Sequence, residues 1–285
     1  MKQDIIIFGA STRGVYVLDK LKDKYKVVAF TDNDSNKWGN KIQGIEIINP
    51  KELINKDNMI IIASQYYKEI IKQLQEMKLY NFKRYDSNIE VIFSKLQKKN
   101  IKFEEIFALE TFGGTGESVD QFYVDKVKEL DVWEIEKAFE KKLRENLPNA
   151  NIKITDSFKE IKEIKKKYNM ILMDNPMSTF GEHCQHFDMY MECFKVMRDE
   201  CIVIFDIIPN LQNIDEKFEY IKTTEHLLSR KLFYRFNNPL NIPIEIMIQT
   251  YKEIANKNGF NIEWHFTEER SGNFIQYLVL KLKRV

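Results

Sequence analysis

The sequence has few cysteines, almost no net charge and no long apolar segment. Its three cysteines are odd in number and clustered, which argues against a disulfide-rich secreted scaffold and favours a reduced, cytoplasmic protein. Lysine and arginine total 44 against 43 aspartates and glutamates, so no excess of basic residues points to a nucleic-acid partner. No stretch approaches about 18 apolar residues without a charge, and the apolar run at residues 5–8 is too short for a signal peptide. We therefore expect no membrane partner.

Two glycine-rich turns are present instead, each directly after an apolar strand and about one domain length apart. The first spans residues 8–14 and the second spans residues 110–116 of the 285-residue chain. Glycines after a strand let the backbone approach a ligand, and the amides and dipole of the following helix favour negative charge. The sequence therefore predicts two domains, each with a site for a nucleotide-type ligand.

The first domain has the pattern of a βαβ unit. Strands are predicted at residues 4–8, 26–31 and 59–63, with a helix at 14–24. Asp32 follows the second strand, where an acidic residue can bind a ribose. Ser11 replaces the middle glycine of the dinucleotide fingerprint, so an NAD site is only weakly indicated. The alternative is a tight turn that only packs a helix on a strand.

Residues 3–85 resemble the small nucleotide-sugar-binding domain of bacterial sugar O- and N-acyltransferases. The resemblance is carried by Gly9, residues 28–34, residues 37–39, Asn49-Pro50 and residues 60–64. It implies a UDP-sugar or similar ligand. The residues implied for that ligand are Gly9, Ser11, Thr12, Asp32 and Lys37. The β-helix repeats of the acyltransferases are absent from the sequence, so acyl transfer is not implied.

The second domain alternates strands and helices and ends in a hairpin. Strands are predicted at residues 105–111, 131–135, 152–155, 170–173 and 201–207, and a final pair at 261–266 and 274–281. The main helices are predicted at 117–130, 184–197 and 243–258. This order resembles the class I S-adenosylmethionine-dependent methyltransferases. We therefore predict an α/β protein with two Rossmann-like domains, 1–95 and 101–285, the second with seven strands and a C-terminal β-hairpin.

The second glycine turn resembles the first motif of that family, acid-x-Gly-x-Gly-x-Gly. Gly114 and Gly116 match the motif, whereas Phe112 stands where a glycine is common. Glu134 matches the acid that binds the ribose hydroxyls. The resemblance implies S-adenosylmethionine as cofactor, with contacts from Glu110, Gly113, Gly114, Gly116, Glu134, Ile135, Asp156, Ser157 and Asp174. The alternative for each carboxylate is a strand-end residue that caps the next helix.

The methyl acceptor is expected beside the fourth strand, which ends in Asp174-Asn175-Pro176-Met177. This segment partly resembles the Asn-Pro-Pro-aromatic motif of amino-group methyltransferases, but it lacks the second proline and the aromatic, so an amine acceptor is not favoured. The candidate catalytic residues are Asp174, His183 and His186. An imidazole titrates near neutrality and suits a general base, although each histidine individually is better explained as a helix-start residue.

Two further features leave alternatives open on the acceptor side. His183 and His186 are three residues apart and would share a helix face, but no further ligand is clustered with them, so we expect no metal site. Residues 208–242 place Arg230 and Arg235 among aromatics. Such arginines suit a diphosphate sugar, or they belong to a packing helix.

Together the resemblances imply a methyltransferase that modifies a sugar, nucleotide-sugar or related small metabolite in surface-glycan biosynthesis. The alternative is a nucleotide-sugar-binding or regulatory protein whose methyltransferase-like domain is inactive. An NAD(P)-dependent oxidoreductase is a third hypothesis, but the first domain lacks a serine–tyrosine–lysine arrangement. The expected partner is a small molecule, and the sequence leaves open whether the protein forms a homo-oligomer.

Overall fold

The chain forms two compact units, Met1–Ser87 and Asn88–Val285. The computed structural model describes residues 2–64, 66–85, 88–116, 123–174, 185–212, 214, 216–271 and 274–285. Residues 88–95, which the sequence prediction placed with the first domain, lie in a helix at the start of the second unit.

The first unit is a six-stranded sheet with helices, and its strand order is β3-β4-β2-β1-β5-β6. All pairings are parallel except β3 with β4. The strands are β1 Gln3–Phe8, β2 Tyr25–Thr31, β3 Lys41–Ile42, β4 Ile45–Ile48, β5 Met59–Ile62 and β6 Phe82–Arg84. The helices are α1 Thr12–Leu21 and α2 Tyr67–Glu76, with 3₁₀ turns at Ser35–Lys37 and Pro50–Asn55.

Strand β1 lies at the centre of this sheet because its apolar residues are buried on both faces. Ile5, Ile6, Ile7 and Phe8 alternate between two apolar clusters on the two sides of the sheet. A continuous apolar run of this kind is typical of a parallel sheet that is covered on both sides. The predicted strands agree with the structure within one residue at each end, and the predicted helix begins two residues earlier, at Thr12.

The second unit is a seven-stranded sheet with the order β12-β13-β11-β10-β7-β8-β9. Strands β7 to β11 pair in parallel, and β13 runs antiparallel to both β11 and β12. The strands are β7 Phe107–Glu110, β8 Glu129–Glu134, β9 Asn151–Ile154, β10 Tyr168–Met173, β11 Met197–Ile207, β12 Phe260–Ser271 and β13 Ile275–Arg284. Counted within the unit, the order is 6-7-5-4-1-2-3, and the predicted class I methyltransferase fold is confirmed.

Helices cover both faces of this sheet, and each face has its own apolar cluster. They are α3 Asn88–Lys98, α4 Glu140–Asn146, α5 Ser157–Glu163, α6 Gln185–Cys193, α7 Thr224–Tyr234 and α8 Ile244–Lys257, with 3₁₀ turns at Phe103–Glu105, Lys137–Phe139 and Glu216–Ile221. Within the described ranges, every helix is too short or too polar to cross a bilayer.

Several predicted boundaries in this unit are wrong: the strand predicted at residues 261–266 extends to Ser271, and two helices end before their predicted last residues. The helix predicted to end at residue 130 stops earlier, because Glu129 and Leu130 already pair with β7; its first part, residues 117–122, lies outside the described residues. The helix predicted to reach residue 197 ends at Cys193, and β11 begins at Met197 instead of residue 201. In both places pairing with a neighbouring strand outweighs the local helical spacing.

Candidate functional site

The carboxyl ends of β7 and β10 mark the crevice in which a ligand of this fold is expected. The two strands are neighbours in the sheet, but the chain continues from β7 to β8 on one side and from β10 to β11 on the other. Ligands of open α/β sheets bind outside the carboxyl ends of the strands at such a switch point. The second glycine turn and Asp174 both lie at this edge.

The glycine loop (residues 113–116) is attached to β8. The Gly113 amide donates to the Trp133 carbonyl over 2.9 Å, and a Cβ on Gly113 would lie 2.3 Å from Val132 Cγ1. Gly114 and Gly116 have φ of 54° and 66°, which favour glycine. Phe112 is not in that left-handed region, so its backbone does not need a glycine, and its ring instead packs 6.4 Å from Phe158.

Glu134 connects the end of β8 to the glycine loop. Its Oε2 accepts from the Gly114 amide over 2.6 Å, and its Oε1 accepts from the Glu136 amide over 2.7 Å. Glu134 is 7% exposed, whereas the next residue, Ile135, is 63% exposed. A carboxylate has about four acceptor positions, so Glu134 keeps capacity for two further donors, as a ribose diol would require.

Asp156 and Ser157 have structural partners at the start of α5. Asp156 caps the helix by accepting from the Phe158 amide over 2.9 Å. The buried Ser157 hydroxyl donates to the Thr111 carbonyl over 2.5 Å, which connects α5 to the segment after β7. The capping role that the sequence left open is therefore present, and a contact with a cofactor stays a prediction.

Glu110, the last residue of β7, is fully buried. Its Oε2 accepts from the Tyr123 hydroxyl over 3.4 Å. The side chain lies on the same face of the sheet as Ala108 and Val132, because residues alternate along a strand and Glu110 pairs with Val132. Glu110 and Glu134 therefore lie on the same face at the carboxyl edge.

Asp174 belongs to a buried polar cluster that the sequence analysis did not identify. Its Oδ1 lies 2.6 Å from Arg270 Nη2, and Arg270 Nε lies 3.3 Å from Asp206 Oδ1. Arg270 Nε also donates to the Tyr277 hydroxyl over 3.2 Å. We name Asp174, Asp206, Arg270 and Tyr277 the acid–arginine cluster. Asp206 had one visible signal, since it is an acid inside the apolar run 201–208.

The pKa values in this cluster follow from its burial. Burial raises the pKa of Asp206 well above its usual value, and the neighbouring Asp174 carboxylate adds to the increase, whereas Arg270 opposes it. Burial lowers the pKa of Arg270, but Asp174 and Asp206 outweigh this effect and raise it. The guanidinium therefore stays charged.

His186 has the surroundings of a core histidine. Its Nε2 lies 2.8 Å from the Tyr251 hydroxyl, and its ring centroid lies 4.8 Å from that of Phe205. Burial lowers its pKa to about 3. Phe205 and Asp206 point to opposite faces of β11, so the structure does not bring His186 together with the acid–arginine cluster. His183 and Asn175-Pro176-Met177 lie outside the described residues.

The two arginines of the 208–242 segment have different surroundings. Arg230 is fully buried and donates from Nε to the Pro239 carbonyl and from Nη2 to the Ile208 carbonyl. It therefore fits the packing alternative and not a diphosphate site. Arg235 is exposed at the end of α7. Within the described residues, no group of three or more His, Cys, Asp or Glu side chains is gathered as a metal would need.

The first unit has a pocket of about 600 Å³ at the carboxyl ends of β1, β2 and β5. Four of the five predicted ligand residues line it, and Thr12 does not: the lining includes Gly9, Ser11, Asp32, Lys37, Arg13 and Tyr66. At Gly9 the φ of 123° and the nearby Ala63 carbonyl, 2.6 Å from an added Cβ, leave no room for a side chain.

Asp32 organises one wall of this pocket. Its carboxylate accepts from the amides of Ala10 and Asp34 over 2.8 and 2.9 Å, and from Lys37 Nζ over 3.0 Å. Burial tends to raise the pKa of Asp32, but the Asp34 amide, Lys37 and the Ala10 amide together lower it. The carboxylate is therefore ionised at neutral pH, and it holds Lys37 at the pocket.

Comparison with known proteins gives a partial family match and several similar folds. Residues 1–84 match the family model described as C2185-like, N-terminal. No curated protein matches the sequence.

Three solved structures illustrate the similarity of fold. Magnesium protoporphyrin IX methyltransferase (ChlM) from Synechocystis PCC 6803, with bound SAH, is 12% identical, with 82% of this chain and 92% of that chain covered and a TM-score of 0.45. M. jannaschii TYW2 in complex with AdoMet is 14% identical, with 70% and 78% covered and a TM-score of 0.42. A putative sarcosine dimethylglycine methyltransferase from Galdieria sulphuraria is 14% identical, with 68% and 84% covered and a TM-score of 0.44. The fold assignment itself rests on the strand order and register.

Proposed function

We propose that this protein is a cytoplasmic S-adenosylmethionine-dependent methyltransferase that acts on a sugar, nucleotide-sugar or related small metabolite in surface-glycan biosynthesis. The observation that carries the proposal is the hydrogen bond between Gly114 and Glu134 at the switch point of the seven-stranded sheet. It brings the glycine loop and the acid at the end of β8 together, as a ligand with a ribose needs.

The residues of this edge fit an adenosyl cofactor. Among the described residues, none has an atom within 4 Å of a Cβ placed on Gly114, so this part of the loop leaves space on that side. Glu134 would accept from the ribose hydroxyls with its remaining lone pairs, and the exposed Ile135 would lie against the adenine beside Asp156 and Ser157. When bound, the cofactor supplies an electrophilic methyl group on a positively charged sulfur.

Asp174 is the described residue best placed for the acceptor. It follows β10 directly and so lies on the β10 side of the switch point. Its carboxylate forms an ion pair with Arg270. Methyl transfer by displacement depends mainly on alignment of acceptor, methyl and sulfur. A carboxylate that is held in place can orient an acceptor hydroxyl and take its proton. The buried His186 is not included in this mechanism.

The pocket of the first unit would hold the nucleotide-linked part of a sugar substrate or of a regulatory ligand. Its volume of about 600 Å³ is within the range of sites for small molecules. Lys37 and Arg13 line it, and both offer donors to phosphate oxygens. We infer that UDP-sugars are the ligands to test first.

Titration calorimetry of S-adenosylmethionine into the full chain tests the cofactor site. We expect binding by the wild type and at least about tenfold weaker binding by Glu134→Ala, because the loss of a charge-assisted hydrogen bond costs roughly 1.5–3 kcal/mol. Glu136→Gln is the matched control, because that side chain is exposed and the hydrogen bond of Glu136 to Glu134 comes from its backbone amide. A wild type that does not bind S-adenosylmethionine would contradict the proposal.

The same instrument distinguishes the second candidate function, a regulatory nucleotide-sugar-binding protein. That candidate is favoured by one observation: Glu134 and Asp156 already accept backbone hydrogen bonds, as purely structural residues would. It requires UDP-glucose binding that Lys37→Ala weakens and the exposed control Lys51→Ala does not, together with no binding of S-adenosylmethionine. Binding of both ligands supports the methyltransferase.

A further inference from the structure

The acid–arginine cluster lies in a row across three neighbouring strands. Met173 on β10 pairs with Phe205 on β11, so the next residues along, Asp174 and Asp206, are also neighbours. Asp206 in turn pairs with Tyr277 on β13. Residues that pair directly across strands lie on the same face of a sheet. The two carboxylates and the phenol are therefore adjacent on one face.

The charges in this row do not balance if both carboxylates are ionised. Within the described part of the chain, Arg270 is the cation paired with Asp174 and with Asp206. The Asp206 side chain is 0% exposed and that of Asp174 is 8% exposed. An excess negative charge in such a place is costly, and a buried carboxyl group commonly takes up a proton instead.

Hydrogen bonding also indicates that one of the two carboxyl groups carries a proton. Among the described residues, neither oxygen of Asp206 has a hydrogen bond of standard geometry, although Oδ1 lies near the guanidinium. Two ionised carboxylates are acceptors only, so they cannot bond to each other. One proton on Asp206 turns it into a donor toward Asp174 and removes the excess charge. Burial and the Asp174 carboxylate both raise the pKa of Asp206, against the effect of Arg270.

We propose that Asp206 holds a proton beside Asp174 in the ligand-free protein at neutral pH, and that a positively charged group binding at Asp174 displaces this proton. The inference rests on the proposed function, since the sulfonium of the cofactor, which is expected at the same switch point, is such a group. Asp206 is then a positioning residue that acts through Asp174. On binding, the O–H bond of the Asp206 carboxyl group breaks and its proton goes to solvent. The positive charge of the ligand therefore replaces that of the proton.

The groups that face Asp206 support a local exchange. Among the residues that the structure describes, they are Asp174 at the end of β10, Arg270 on β12 and Tyr277 on β13. Burial, with the neighbouring Asp174, keeps the Tyr277 hydroxyl neutral by raising its pKa, and Arg270 stays charged. The proton on the carboxyl pair is therefore the one that exchanges.

Calorimetry with two ligands that differ by one charge tests the displacement. S-adenosylmethionine and S-adenosylhomocysteine are each titrated into the full chain in phosphate and in Tris at the same neutral pH. For each ligand, the difference in binding heat between the two buffers gives the number of protons released. We expect S-adenosylmethionine to release up to about one proton more than S-adenosylhomocysteine. Asp206→Asn, which resembles the protonated carboxyl, should abolish the difference.

The control is Asp199→Asn, an acid on the same strand whose side chain is 85% exposed; it should leave the difference intact. Equal proton release with both ligands in the wild type would overturn the inference while the binding itself upheld the proposed function. An undiminished difference in Asp206→Asn would also overturn it, because the proton would come from another group.

Infrared spectroscopy of the ligand-free full chain tests the proton directly and does not depend on cofactor binding. A carbonyl band of a protonated carboxyl group should be present at neutral pH, absent in Asp206→Asn and retained in Asp199→Asn. If the band is missing in the wild type, the inference is wrong. If the wild type binds neither ligand, the displacement falls together with the proposed function, and the band alone decides whether Asp206 holds the proton.

Discussion

Burial lowers the pKa of His186 and so makes the stability of this fold depend on pH. His186 has a pKa of about 3 in the folded chain, against about 6.5 in an unfolded one. Between these values the unfolded chain binds more protons than the folded chain, so stability must fall as the pH drops below about 6.5. His226, with a pKa of about 4 that is lowered mainly by burial, acts in the same direction.

We therefore expect acid to destabilise the second unit through His186. Lowering the pH from 7 to 5 should reduce its free energy of unfolding by roughly 2 kcal/mol from this residue alone, at about 1.4 kcal/mol per pH unit below 6.5. Urea unfolding at both pH values measures the loss. His186→Gln should make it smaller, and the exposed His265→Gln should not; an equal loss in both variants would show that His186 is not the cause.

At the residue scale, the sequence predicts some positions of the site and misses others for a physical reason. Glu110, Glu134 and Asp174 each follow an apolar run, so parallel strands place them at one edge of the sheet. The ion pair between Arg270 and Asp206 connects strands that are far apart in the chain, and no local pattern encodes it. The burial of His186 likewise depends on the packing of Phe205 and Tyr251 around it.

At the scale of elements, helix α5 shows how one side chain can serve stability and binding. Asp156 caps the helix, and the family resemblance implies that it also contacts the cofactor. Asparagine is as good an N-cap as aspartate, whereas alanine is not. The two roles are therefore separable by substitution.

Asp156→Asn should leave the thermal stability nearly unchanged, whereas Asp156→Ala should cost about 1 kcal/mol through the lost cap. If Asp156 also binds the cofactor through its charge, both variants should weaken S-adenosylmethionine binding in titration calorimetry. Unchanged binding in Asp156→Asn would leave the residue with the capping role alone.

The element boundaries show where local patterns fail. Strands β1, β2 and β5 of the first unit contain apolar runs of at least four residues, so their predicted ends agree with the structure within one residue. The short strands β3, β4 and β6 carry no such run and were not predicted. Strand β8 begins at Glu129 and β11 at Met197 because β7 and β10 provide partners there. The hydrogen bonds to those partners outweigh the helical spacing of the same residues, and a single sequence does not reveal the partner.

At the scale of the whole molecule, the division into units depends on helix α3. Phe93 stacks on Tyr123 with ring centroids 5.2 Å apart, and Lys95 pairs with Glu268 over 2.6 Å. Ile89, Ile92, Phe93 and Leu96 are all part of an apolar cluster of the second unit. The helix is therefore part of that core, although the sequence prediction placed residues up to 95 with the first domain.

A fragment of residues 88–285 should consequently fold, and one of residues 101–285 should be much less stable. Losing even one large buried side chain costs roughly 2–5 kcal/mol, and the shorter fragment loses four. Circular dichroism during thermal unfolding compares the two. Equal melting temperatures would mean that α3 contacts the second unit without stabilising it.

The two buried thiols of the second unit can report how often the segments around them open. Cys193 at the end of α6 and Cys201 on β11 are both buried, and burial raises the pKa of each. A thiol reagent reacts with the thiolate, so it must wait for these segments to open. With Cys184 replaced by serine, the labelling rate of the remaining thiols would measure how often the centre of the sheet opens. A ligand that binds at the switch point and stabilises the sheet would slow this labelling.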